Sequence, residues 1–275
     1  MTAIPLPRTA MGVGYRVSLI DALLADDAPA SVQYVEIISE NFLGPAPRPR
    51  ENLVKLSAKY PVVLHGVGLN LMGVEPLDER YLDALCRLAD DVDAPFVSDH
   101  LCWTGAGGHA HHDLLPFPFT ASTLDFAASR AAYVQRRLGR PFGLENVSSY
   151  VTFAQSTLTE AEFTTRVVRD AGCSLMFDVN NVVVSSHNHG LDPAEWLALV
   201  DFSRVLQVHV AGYDRQPDGI WVDTHDRHAS DETKRFYGDA WRRGGPFPTL
   251  FEWDDRIPPL SRVVDELDRL VEARS

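Results

Sequence analysis

Lysine is nearly missing from this 275-residue sequence: Lys55, Lys59 and Lys234 are the only three, and none lies at the end of an apolar run. That removes the lysine partner typical of sugar isomerases. Basic residues as a whole are outnumbered, 25 Lys and Arg against 38 Asp and Glu, for a formal charge of −13. Such a surface argues against broad binding to nucleic acid or to an anionic membrane. No apolar stretch is long enough to span a bilayer, and the start, MTAIPLPRTAMGVGYR, lacks the basic and apolar regions of a signal peptide. Cys86, Cys102 and Cys173 are odd in number and without metal-motif spacing, so buried, reduced thiols in a cytoplasmic protein are expected. No glycine-rich phosphate loop follows the first apolar run, GVGYR, which tells against a doubly wound open sheet.

What is present is a rhythm. Eight short apolar runs occur at 12–16, 32–40, 61–69, 94–102, 140–147, 173–184, 204–211 and 247–253. Each reads as a strand buried on both faces. Amphipathic segments with helix signals separate them, for example 77–91, with Leu77, Tyr81, Leu85 and Leu88 on one stripe. Thr159 with Glu162, and Asp192 with Glu195, have capping-box spacing. Strand and helix alternating eight times predict a (β/α)8 TIM barrel, with residues 1–275 forming a single domain. Loops 103–119 and 212–230 are too long for connectors and are expected to act as lids.

Seven of the runs end in an acidic or imidazole residue: Glu36, His65, His100, Glu145, Asp178, His209 and Glu252. In a parallel barrel such side chains converge on one rim. Buried ionisable groups need partners, and a metal ion supplies one. Asn181, three residues after Asp178, aims inward if the chain leaves the strand there, and Asp223 and His225 share one side of an extended segment. One catalytic metal takes three or four protein ligands, so nine donors suggest two or three metals with a bridging carboxylate such as Glu145. A single metal supported by further carboxylates is the alternative. Mixed imidazole and carboxylate donors suit iron, manganese or zinc.

The motifs GVGYR, VEIISENFLG, VVLHGVGLNL, VSDHLCW, HDLLPFPFT, LENVSSYV, FDVNNVVVSSHNHG, VHVAGY, DTHDRH and FEWDDRIPPL together resemble the multinuclear non-heme iron-dependent oxidative enzymes over roughly residues 11 to 260. That family includes the methanobactin-biosynthesis iron oxidase and the enzyme that excises a cysteine β-carbon in thiaglutamate formation. The resemblance implies a xylose-isomerase-like barrel holding two or three irons in a mixed Fe(II)/Fe(III) state, with O2 as oxidant. It implies a ribosomally made precursor peptide as substrate, modified at Cys or at Asp, Asn or an aromatic residue. On this sequence the family's ligand set falls at His65, His100, Glu145, Asp178, Asn181, His209, Asp223, His225 and Glu252, with Asp178, His209 and Glu252 placed nearest the chemistry.

Glu36, Glu40, Asn70, Asp99, Asn146 and His189 are candidate substrate contacts or supports for the ligands. His187 and His189 are expected in a loop leading into a helix, and His109, His111 and His112 in a solvated loop. Asp254 and Arg256 are expected to pair near the rim. Because the barrel takes up nearly the whole length, a separate protein is expected to recognise the leader of the precursor, with no nucleic acid or membrane partner. A divalent-metal hydrolase or isomerase of the xylose-isomerase or endonuclease IV type is the competing function, and a catalytically silent metal-binding module a third.

Overall fold

Valine, leucine, isoleucine and phenylalanine dominate the eight runs, and each run contains one barrel strand. In the computed structural model, which describes residues 6–44, 47–107 and 109–275, the barrel strands are β1 (Met11–Gly14), β2 (Tyr34–Ile38), β3 (Val62–Gly66) and β4 (Val97–His100). Two more, β5 (Trp103–Ala106) and β6 (His109–Leu115), pair with each other as an antiparallel hairpin outside the barrel. The barrel resumes with β7 (Phe142–Glu145), β8 (Ser174–Asp178) and β9 (Val205–Val210). A second hairpin, β10 (Tyr213–Arg215) with β11 (Trp221–Asp223), precedes the last barrel strand, β12 (Thr249–Phe251). The order β1-β12-β9-β8-β7-β4-β3-β2 closes on itself with every pair parallel. The expected eight-stranded TIM barrel is therefore the fold; the first five residues of the expected 1–275 span, with 45, 46 and 108, lie outside the described residues.

The pleat sets the height of each donor. Tyr34, Val63, Phe96 and Leu250 pack together as a separate apolar cluster in the barrel floor. Gly12 leaves the space the Tyr34 ring fills, since a Cβ there would sit 2.4 Å from the ring. Two residues further along β2, β3 and β12, on the same face, come Glu36, His65 and Glu252. The intervening Val35, Leu64 and Phe251 belong to the main core that the outer helices cover.

Two sequence expectations change. The run 173–184 is two elements: β8 ends at Asp178, and a helix over Val179–His189 starts at once because the Asp178 carboxylate caps it. His187 and His189 therefore lie in that helix's last turn, not in a loop. Asp192 and Glu195 form no capping box; Asp192 Oδ1 accepts the N–H of Ala194 at 2.9 Å, and Pro193 precedes a six-residue helix, Ala194–Leu199. The box at Thr159 and Glu162 is present in full. Among the described residues, no helix is long and apolar enough to cross a membrane.

Candidate metal centre

At the C-terminal rim the strand ends meet. Glu145 Oε2 lies 3.1 Å from His65 Nε2 and 3.2 Å from His100 Nε2, all three side chains buried. His209 Nδ1 is 3.2 Å from Glu252 Oε2, and His225 Nε2 is 2.7 Å from Asp223 Oδ1. Four groups of three residues each bring donor atoms within 4.8 Å of one another: His65, His100 and Glu145; Glu145, Asp178 and His209; Asp178, His225 and Glu252; and Glu36, His209 and Glu252. Glu145, Asp178, His209 and Glu252 each belong to two groups. The groups thus form adjacent positions with shared corners.

Each histidine has one nitrogen tethered. His65 Nδ1 meets Ser98 Oγ at 2.9 Å, His100 Nδ1 the Gly66 carbonyl at 3.0 Å, His209 Nε2 the Glu36 carboxylate at 3.0 Å and His225 Nδ1 Asp254 Oδ2 at 3.2 Å. That leaves Nε2 of His65, His100 and His225 and Nδ1 of His209 facing the carboxylates, an arrangement that fixes ring orientation and tautomer at metal sites. Glu145 Oε2, Asp178 Oδ2, Asn181 Oδ1, His209 Nδ1 and His225 Nε2 are buried without a hydrogen-bond partner among the described residues. Several lie within ion-pair distance of a neighbour without forming a hydrogen bond to it. Buried polar atoms left in this way normally have a missing partner. A mixed set of imidazole, carboxylate and amide oxygen fits a transition metal such as iron.

Protons alone meet the charge balance unevenly. Burial would push both imidazoles down, but Glu145 and Glu36 hold His65 up at about 9. His100 stays below its usual value, from burial and from the neighbouring His65, because one carboxylate cannot sustain two adjacent imidazolium charges. Burial, then the charges of Glu145 and Asp223, drive the Asp178 carboxyl well above the normal range. Glu252, which burial would raise, is held well below it by His209 and His225. Carboxylates and imidazoles thus alternate around the rim, with the acids Glu145, Asp178 and Asp223 brought close to one another.

All nine sequence-derived donors are at the rim. Of the six supporting candidates, Glu36 tethers His209 and accepts from Gln207 Nε2 at 2.8 Å. Asn146 pairs with both backbone groups of Asp178, at 2.8 and 3.0 Å. Glu40 Oε1 accepts from the N–H groups of Val67 and Gly68 and from the Tyr81 hydroxyl. Asp99 takes the Leu69 N–H at 3.3 Å; burial and Glu40 raise its carboxyl to about 8. Asn70 supports β5 by accepting from Thr104 N and donating to the Gly105 carbonyl. His189 Nε2 meets Ser149 Oγ at 2.7 Å, bracing the loop after β7.

Sequence reasoning missed Asn180, whose Nδ2 donates to Asp223 Oδ1 at 2.7 Å, and Arg16, which pairs with Asp254. The expected Asp254–Arg256 pair is not formed: Arg256 reaches Asp226 at 3.3 Å, while Asp254 is taken by Arg16 and His225. Nothing in DDR marks that choice, which depends on a residue 238 positions away.

Both long loops fold over the rim as hairpins. Thr104, His111, Asp113 and Leu114 from one, and Asp223, Thr224 and His225 from the other, line a cavity of about 350 Å³ whose base is formed by His65, His100, Glu145, Asn181 and Glu252. His111 thus faces the cavity, though exposed; His109 is exposed on the same strand. The three lysines lie on outer helices, 47–59 and 231–244, away from the cavity. Cys86, Cys102 and Cys173 are unpaired, the last two buried.

A UPF0276 protein of Rhizorhabdus wittichii is 43% identical over 262 residues, covering 95% of this chain and 94% of that one. Among solved structures, a D-tagatose 3-epimerase-like protein superposes with a TM-score of 0.60 at 16% identity, covering 96% of this chain and 97% of that one. Endonuclease IV of Thermus thermophilus superposes with a TM-score of 0.59 at 15% identity, covering 96% and 99%. At such identities the structural likeness establishes a shared xylose-isomerase-like barrel, nothing finer. A family model described as "RiPP precursor modification enzyme MbnB/TglH/ChrH" matches residues 10–275, and the chain belongs to that enzyme family.

Proposed function

We propose that this enzyme is an O2-dependent oxidase carrying two or three irons, and that it modifies one residue of a ribosomally made precursor peptide. The observation that carries the reading is the set of overlapping donor groups whose buried atoms lack partners. His65, His100 and Glu145 would hold one ion. Glu145, Asp178 and His209, with Asn181 beside them, would share the adjoining position, and Asp178, His225 and Glu252, with Asp223 next to His225, a third. Bound iron would supply the Lewis acidity and the electrons that O2 chemistry at an unactivated carbon requires. The chain's own contribution is positional. Glu36 would keep the proton on His209 Nε2, leaving Nδ1, 3.2 Å from Glu252 Oε2, as the nitrogen to meet the metal. Ser98 and the Gly66 carbonyl do the same for Nε2 of His65 and His100. The two hairpins narrow the opening and limit water.

At about 350 Å³ the cavity is at the low end for small-ligand sites, enough for a side chain and its flanking backbone. A leader sequence would have to be held elsewhere, which supports recognition by a separate companion protein. The absence of lysine from the rim disfavours a sugar-isomerase chemistry. Metal analysis of freshly purified protein with its visible spectrum is the test. Two or three irons per chain with an absorbing chromophore are expected; stoichiometric zinc or magnesium in a colourless protein would transfer the site to hydrolysis or isomerisation.

A further inference from the structure

We infer that Arg16 and Asp254 are positioning residues that aim His225 Nε2 into the cavity, and so set the affinity of one metal position without holding the metal themselves. This role presupposes the metal reading above. His225 differs from the other three histidines in its origin: it lies beyond β11, in the loop after the second hairpin, whereas they lie on barrel strands. Its backbone sits at φ +49, in the left-handed region that a histidine does not take by preference. Something must hold it there; besides the 2.7 Å contact of Nε2 with Asp223 Oδ1, three ties do. Its N–H donates to the Gly212 carbonyl at 2.9 Å, and its own carbonyl accepts from Asp254 N–H at 2.7 Å. The third tie is the side chain, Nδ1 to Asp254 Oδ2 at 3.2 Å.

Asp254 is the least buried acid in this group, with a side chain 40% exposed, and on its own it would be free to swing toward solvent or toward a cation. Arg16 prevents both. Its guanidinium, only 13% exposed, grips Asp254 Oδ1 through one amino group and donates to the Tyr15 carbonyl at 2.8 Å through the other. The same guanidinium lies 3.6 Å from Glu252 Oε1. Glu252 Oε2 also stands 3.4 Å from His225 Nδ1, so without Asp254 the ring has a second acceptor available and a reason to turn. With Asp254 fixed, Nδ1 would carry the proton and Nε2, buried and 2.7 Å from Asp223 Oδ1, would be the nitrogen that meets a metal beside that carboxylate. The chain of contacts Arg16–Asp254–His225 joins the end of β1 to the end of β12 and to the hairpin loop.

Anaerobic Co(II) titration of metal-free protein, followed by the cobalt d–d absorption, reads each position apart from turnover. Wild-type protein is expected to fill more than one position. Asp254→Ala and Arg16→Gln should weaken one of them by about 10- to 100-fold and leave the rest unchanged. His225→Ala should lose that same position. Asp254→Asn, which keeps an acceptor oxygen for Nδ1, should recover much of the affinity lost in Asp254→Ala. Circular dichroism of the metal-free variants separates this from misfolding. A wild-type titration curve for Asp254→Ala, or equal weakening at all positions, overturns the inference while leaving the metal site standing. Wild-type protein that takes up no Co(II) overturns both.

Discussion

Asp178 Oδ1 accepts the backbone N–H of Asn181 at 2.7 Å, so the residue that ends β8 also starts the helix carrying the next candidate donor. One carboxylate oxygen is used for capping and the other, Oδ2, is buried without a hydrogen-bond partner among the described residues. Asparagine caps helices nearly as well as aspartate, whereas alanine costs about 1 kcal/mol. Asp178→Asn should therefore keep the melting temperature of metal-free protein, since burial, Glu145 and Asp223 already favour the neutral acid at this position. Asp178→Ala should melt about 2–4 °C below Asp178→Asn. Both should lose iron. Scanning calorimetry on the two metal-free variants tests the division of labour; equal melting points would rule it out.

Glu145 stands between His65 and His100 and also belongs to the group with Asp178 and His209. Glu145→Ala is expected to empty more than one metal position, whereas Asn181→Ala should affect one. Iron determined against protein concentration decides this, and a Glu145→Ala protein with wild-type iron content would refute the bridging role.

Stability and metal binding should respond to pH in opposite senses. His65 and Asp99 bind protons more tightly in the folded state, up to about 9 and about 8, than in an unfolded chain, where they titrate near 6.5 and 3.9. The folded state then holds more protons, so metal-free stability falls as pH rises from about 6 toward 9. The depressed carboxyl of Glu252 is ionised in both states over that window and contributes no slope. A metal ion displaces the protons on the donors, so its affinity should climb over the same range. Thermal melts with and without chelator at pH 6, 7.5 and 9 give both trends. A metal-free melting point that rises with pH would contradict the assignment.

Mixing enzyme and precursor, with and without the protein encoded beside it, tests leader recognition by mass spectrometry of the peptide. Modification should be slow without the companion and accelerate with it. Equal rates would mean that the barrel reads its peptide unaided.

Every barrel strand was legible as an apolar run, because parallel strands buried on both faces have no polar alternation to blur them. The donors were legible for a related reason: Glu36, His65, His209 and Glu252 interrupt otherwise apolar text at or near the C-terminal ends of their strands. The hairpins at 103–115 and 213–223 were not, since their strands are short and polar and draw their pairing from local turns. Val182, Val183 and Val184 read as more strand, but the Asp178 cap decided for helix. Arg16 and Asp254 escaped because an ion pair across 238 residues has no local signature.

The barrel closes between its first and last strands, β1 against β12, and Glu252 follows immediately after β12. This imposes an order in time. A chain emerging from the ribosome has five of the nine donors once β8 and the start of its helix have appeared, yet it lacks the seam that turns them inward. Metal capture at the complete site is thus a late step of maturation, after the seam has closed. An assay that supplies iron before folding and one that supplies it afterwards should differ in yield, and the later addition should be the more productive.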